Sequence, residues 1–303
     1  MTCTAVRRNR AATASPTQAG NRIVITAVDS ESTFLAASNW TMHDSPAISD
    51  SPLKMPPVAR VRAHYLSLCT AAADQFGSVS LAGRLLLIDG LSDEGDALLI
   101  AASIAGAASL VLETRAEMVR HCVRNGIADF AVNTLDEALR ILKNEIRKRQ
   151  PIAVLLEREP ADVLAEMVNR GAQPDLVRWV SSDPASQAYV TTLRERGARR
   201  VLASHAAEPN PVREVCWRAE NSSALRQLDL LAGQILPQDD LARQNWVVRA
   251  PRYLPRAFRL ERRVEMTPEE GAAFLTAVRE RAEQGALAAK VNIEAGGQVH
   301  TFG

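Results

Sequence analysis

The sequence predicts an α/β fold with a doubly wound, mostly parallel Rossmann-like sheet, a disordered N-terminal arm and a helical C-terminal region. Three observations carry that reading. Leu85 to Ile88, Leu110 to Leu112 and Ile152 to Leu156 are short apolar runs without alternation, the pattern of parallel strands buried on both faces. Stretches of helical period separate them. The composition also breaks near residue 60, so the chain divides into an arm over 1–60, a sheet domain over 61–204 and a mainly helical region over 205–303.

Met1 to Arg60 is rich in Ser, Thr, Ala and Pro, as in TASPTQAG and SPAISDSPLKMPP. Such a composition buries too little apolar surface to offset its ordering entropy. Arg22 to Ala27 is the exception and suits an edge strand. Arg7, Arg8 and Arg10 with no acid before Asp29 also have the look of a transit peptide, although a disordered tail explains the composition as well.

A helix is expected over Val61 to Gln75, with Leu66, Leu68, Ala71 and Ala72 toward the core and His64 and Tyr65 as packing residues. The unit from Leu81 to Thr114 then reads strand, turn, helix, strand. Small residues from Ala97 to Ala108 let its helix lie close against a sheet. A helix over Ala116 to Asn125 stops at Gly126, and Phe130 to Val132 forms a short strand. Thr134 and Glu137 open the next helix as a capping box, with Leu135, Ala138, Leu139, Leu142 and Ile146 on one face. Pro160 starts a helix that Gly171 ends, and Leu176 to Val180 forms a strand. Asp183 and Pro184 start a further helix stopped by Gly197, followed by a strand over Arg200 to Ala203. Thr267 to Glu270 opens a terminal helix that runs to Gln284.

Several segments resemble the urocanases, the urocanate hydratases of histidine breakdown. FGSVSLAGRLLLIDGL is similar to that family's FG-SLAGRLVLTGGL, NTLDEALRILKNEIRKRQPIAVLL is similar to its counterpart there, and VNRGAQPDLV is similar to RRGVRPDIV. The resemblance runs from Phe76 to Val177 in order and spacing. It implies a tightly held NAD used as an electrophile, with the pyrophosphate at the helix N-terminus, an acidic residue for the ribose and a homodimer. By that resemblance Gly90, Gly95, Ala97 and Glu113 are the cofactor-binding residues, and Cys216 within Arg213 to Trp217 is the catalytic one.

The departures point the other way. The family's glycine-rich GGLGGMGGAQ has become Asp89 to Leu98, with Asp89, Ser92, Asp93 and Asp96 at glycine positions. Side chains obstruct a phosphate's approach to the backbone. Like charges 4 Å apart repel by about 1 kcal/mol in water and about 4 kcal/mol near a protein surface, against roughly 0.3–2 kcal/mol of attraction from a helix terminus. The reading is that Ser92 caps the helix while Asp93, Glu94 and Asp96 satisfy its first turn. The family's Gly-Asn turn has become Glu157 to Pro160, and only Asp183-Pro184 persists from its polar TDQTSAHDP.

A net charge of +1 and 4% aromatics give no sign of a nucleic-acid partner. No apolar run reaches the roughly 18 residues of a membrane span, and no secretory signal pattern is seen at the start. Cys3, Cys69, Cys122 and Cys216 are far apart, without metal or disulfide spacing, so a reducing, cytoplasmic location and no metal are expected. The functional expectation is a degenerate urocanase-type paralogue that binds no cofactor and acts as a binding or interaction protein. The alternative is an NAD-dependent urocanate hydratase, a lyase.

Overall fold

The computed structural model describes residues 56–91, 93–201, 214–254 and 260–303, with Asp93 and Glu94 as backbone alone. The expected N-terminal arm to residue 55, the Arg22 to Ala27 strand, the Ser92 cap and the boundary near residue 204 lie outside them.

The first helix, α1 (Val58–Phe76), buries Val61, Tyr65, Leu68, Cys69 and Ala72. Of the expected core positions Leu68 and Ala72 are buried, Leu66 packs partly buried against the core and Ala71 is half-buried, while His64 is buried. Six strands follow: β1 (Leu85–Asp89), β2 (Ala108–Leu112), β3 (Phe130–Val132), β4 (Ile152–Leu156), β5 (Leu176–Arg178) and β6 (Arg199–Arg200). They form one sheet in the order β3-β4-β2-β1-β5-β6, and every pairing is parallel. The crossover helices are α2 (Asp93–Ala105), α3 (Ala116–Arg124), α4 (Leu135–Arg147), α5 (Pro160–Arg170) and α6 (Pro184–Glu195).

Alternate strand residues feed opposite layers. Leu85, Leu87, Leu110, Leu112 and Val154 pack with α4, α5 and α6. Leu86, Ile88, Val111 and Leu155 pack with α1, α2 and α3. Because both faces are covered, none of these strands needs a polar side, which explains their unbroken apolar runs.

The helix ends follow the local chemistry. Thr134 Oγ1 accepts from the Glu137 amide, and Asp183 Oδ2 accepts from the Ser186 amide. Gly171 leaves α5 at φ 66°, a left-handed conformation that glycine adopts without a Cβ penalty.

Helix α2 is buried over its full length from Gly95 to Ala105. It touches β1, β2 and β4 on one side and α1 and a later helix, α8, on the other. A helix so enclosed is mostly apolar, with Asp96 and Ser103 as its buried polar residues, and its alanines let the sheet, α1 and α8 approach it.

The C-terminal part, expected to be mainly helical, carries three helices, α7 (Ser222–Ile235), α8 (Leu241–Tyr253) and α9 (Pro268–Glu283), of which α9 is the expected terminal helix. It also contains a second sheet that the sequence reading did not anticipate. Its strands are β7 (Glu214–Ala219), β8 (Glu261–Glu265), β9 (Val291–Ala295) and β10 (Gln298–Phe302), in the antiparallel order β10-β9-β7-β8. Strand β8 reads ERRVE because Arg262 is buried in ion pairing with Asp229 at 3.3 Å, whose other oxygen takes the Trp217 indole N–H at 3.0 Å. Trp217 in turn packs against Phe274 of α9, with ring centroids 5.0 Å apart and planes tilted by 47°.

The two parts share one core. Tyr65 of α1 donates to the Ala242 carbonyl of α8 at 2.8 Å and lies 5.2 Å from the Trp246 ring. Arg62 reaches Glu265 at 3.0 Å and Glu214 at 3.6 Å.

The full enclosure of α2 leads to a stability prediction. Ala102→Leu inserts volume where no wall can move freely and is expected to cost about 1–3 kcal/mol. Urea titration should show a lower midpoint with an unchanged slope. An unchanged midpoint would mean that α2 has room on one side.

Candidate functional site

In this sheet the chain leaves β1 toward β2 on one side and returns beside β1 with β5 on the other. The point where strand order reverses opens a crevice at the carboxyl ends of β1 and β5, where ligands of doubly wound folds bind. A small cleft of about 200 Å³ is found there, lined among others by Asp89, Gly90, Glu113, Arg115, Trp179 and Ser181.

The turn after β1 is set by Gly90 at φ 76°, a conformation other residues adopt only under strain. A Cβ there would meet Glu113 Oε2 at 3.6 Å. Glu113 directly follows β2 and is buried at 3% exposure. Its Oε2 accepts the Leu91 amide at 2.7 Å and Arg115 Nη2 at 2.9 Å. Its Oε1 accepts the amide and Nε of Arg115, both at 2.9 Å. Arg115 Nη2 also donates to the Leu91 carbonyl. Burial alone would raise the pKa of Glu113, but the Arg115 guanidinium and the two amides outweigh it and hold the carboxyl below its ordinary value.

The opposite wall has a matching arrangement. Asp89 Oδ2 accepts the amides of Val180 and Ser181, the latter at 2.6 Å, and Arg178 lies 3.7 Å from Oδ1. Burial pushes the Asp89 carboxyl up, against the pull of those amides and of Arg178. The two loops that meet at the switch point are therefore each fastened by a carboxylate of the chain itself.

The expected site residues fall in three places. Gly90 and Glu113 meet in the cleft, but Glu113 has both oxygens engaged by its own neighbours. Gly95 and Ala97 are buried within α2. Cys216 sits on β7 in the second sheet, in register with Arg263 and Glu294, and does not line the cleft. Burial pushes its thiol up to about 12, so it stays protonated at neutral pH. Asp96, expected to serve the first turn of α2, is buried at 4% exposure and accepts the thiol of Cys122 on α3 at 3.5 Å. Side chains of Asp93 and Glu94 lie outside the described residues.

Arg115 was missed by sequence reasoning, although its spacing two residues after Glu113 is that of a carboxylate partner at a strand end. Trp179 was given no role from the sequence. Its indole nitrogen is buried without a hydrogen-bond partner among the described residues, a feature no sequence pattern announces.

Residues 61–190 match the urocanase Rossmann-like domain. The match covers fewer than half of the residues in the chain. It runs from α1 into α6 and takes in both walls of the cleft. The urocanase-like segment thus supplies every residue that lines it. Among solved structures, the crystal structure of L-tryptophan dehydrogenase from Nostoc punctiforme aligns at 9% identity and a TM-score of 0.26, over 77% of this chain and 61% of that one. This chain therefore spans about three-fifths of that protein's length.

The clasp at Glu113 makes stability depend on pH. A carboxyl held below its ordinary pKa contributes stability above that ordinary value, and the contribution is lost as pH falls through the folded-state pKa. Glu113→Gln is expected to cost about 1.5–3 kcal/mol at pH 7, as for a hydrogen bond to a charged group. The gap between parent and variant should close as the pH drops below 4.5, read from urea midpoints. A gap that stays constant with pH would show that the Glu113 charge contributes nothing.

Proposed function

We propose that this chain is a degenerate urocanase-type paralogue, without NAD-dependent hydratase activity, that acts through binding. The observation that carries the reading is the engagement of the switch-point amides. Leu91, Val180 and Ser181 donate to Glu113 and Asp89. Anion sites of this fold depend on backbone N–H groups left available at the turn and the helix start.

Charge and volume agree with it. A pyrophosphate entering the cleft would face two buried carboxylates, each already holding the donors it needs, and like charges at contact distance repel by about 4 kcal/mol near a protein surface. The cleft's volume of about 200 Å³ also lies below the roughly 300–1,000 Å³ of ordinary small-molecule sites. The residues present do not fit a dinucleotide. Hydration of urocanate would further require polar groups that hold the substrate in a near-attack geometry, a contribution of about 7–11 kcal/mol. The buried, protonated Cys216 on the second sheet is poorly suited to that task.

NAD should therefore leave the melting temperature unchanged, whereas a ligand at 100 times its Kd would add about 2.7 kcal/mol, a rise of about 5 °C or more. Replacing Asp93 and Asp96 by glycine should not restore binding, because Asp89 and Glu113 still hold the amides. Urocanate should lose no ultraviolet absorbance beyond the protein-free control, even with excess NAD. A clear thermal shift with NAD, or turnover abolished by Cys216→Ala, would overturn the proposal.

A further inference from the structure

A second concavity lies at the opposite end of the sheet from the cleft. Phe130 opens β3 and Ile152 opens β4, and the last two turns of α4 run back over these strand starts. Between them is a groove of about 630 Å³. Its floor is apolar, from Phe130, Ile141 and Ile152, and its rim carries Arg140, Lys143, Arg147 and Lys148 against one acid, Glu145. That acid is taken by Lys148 at 2.9 Å. Arg140 and Lys143 are exposed and form no hydrogen bond or ion pair among the described residues. Both also line a neighbouring groove of about 710 Å³ on the far side of α4. The helix is a basic ridge between two hollows, with apolar surface beneath it.

A surface of this kind complements an acidic segment with aromatic anchors. The chain contains one. Between Arg22 and Lys54 there is no Lys or Arg, while Asp29, Glu31, Asp44 and Asp50 alternate with Phe34, Leu35, Trp40, Met42 and Ile48. We infer that residues 29–50 dock in the groove beside α4, acids on the Arg140–Lys143–Arg147 rim and an aromatic side chain on the Phe130–Ile152 floor. The tether permits it. From Phe34 to the start of the described residues at Pro56 the chain can span up to about 75 Å at roughly 3.4 Å per residue, and a domain of about 250 residues has a radius of gyration near 18 Å. The docking is independent of the NAD reading, because none of these residues lines the switch-point cleft.

The inference is tested with a fluorescent peptide of residues 29–50 and the full chain. In one variant the resident segment is neutralised by Asp29→Asn, Glu31→Gln, Asp44→Asn and Asp50→Asn, which vacates the groove. The peptide should bind this variant, more weakly as salt is raised. It should bind the parent chain at least about tenfold more weakly, because a tethered competitor acts at an effective concentration of the order of millimolar. Arg140→Glu with Arg147→Glu should abolish binding to the neutralised chain. A peptide with its four acids replaced by lysine should bind that reversed groove, which shows that the reversed chain is folded. Equal affinity for parent and neutralised chains, binding that survives the groove reversal, or no peptide binding would each overturn the inference. So would a groove that takes a short single-stranded oligonucleotide and ignores the peptide.

Discussion

A backbone amide at the end of a buried strand must find an acceptor, and that requirement governs the centre of this molecule. Orphaned buried N–H groups cost about 1–3 kcal/mol each. In a doubly wound fold the amides past the first strand are those that a bound phosphate would satisfy. Here the buried Leu91 amide is satisfied by Glu113, while across the cleft Asp89 accepts the exposed amides of Val180 and Ser181 after β5. The helix that begins beside this turn is enclosed by the sheet, α1 and α8. The order of the switch-point loops thus rests on hydrogen bonds from the chain's own carboxylates.

Most of the urocanase-like segment was legible in the sequence because its constraints are local. Strands covered on both faces read as apolar runs, and helix ends carry Thr134, Asp183 or Gly171 where capping chemistry demands them. The candidate site was legible in part. The acids at positions where the urocanase pattern has glycines drew attention to this turn, but which acid meets which amide depends on side chains that converge from β1, β2 and the loop after β5. Asp89 was read as an obstruction and proves to be a clasp. Glu113, expected at the ribose if NAD is bound, is engaged by the turn and by Arg115.

The second sheet shows where pattern reading fails. Strand β8 is charged at four of its five positions, and Arg262 enters the core only because Asp229 of α7 meets it there. No one-dimensional period reveals such a pair. The β9–β10 hairpin did carry a signal. Ile293 and Val291 alternate with polar residues before Gly296-Gly297, and both glycines have positive φ, at 56° and 77°, as a two-residue hairpin turn requires. The chain also separates its two concave features, with the clasped cleft at the carboxyl ends of the strands and the basic groove at their starts. One end of the scaffold engages its switch-point amides internally, and the other offers charge and apolar surface.

The account is tested most directly by following the Leu91 amide in solution by NMR. If Glu113 holds it, the proton resonance of Leu91 should titrate with the Glu113 carboxyl, at a pH below 4.5, and neither it nor the Val180 and Ser181 amides should move when NAD is added at neutral pH. A Leu91 resonance indifferent to that titration, or displacement of all three amides by NAD, would contradict the claim that the chain's own carboxylates close this site.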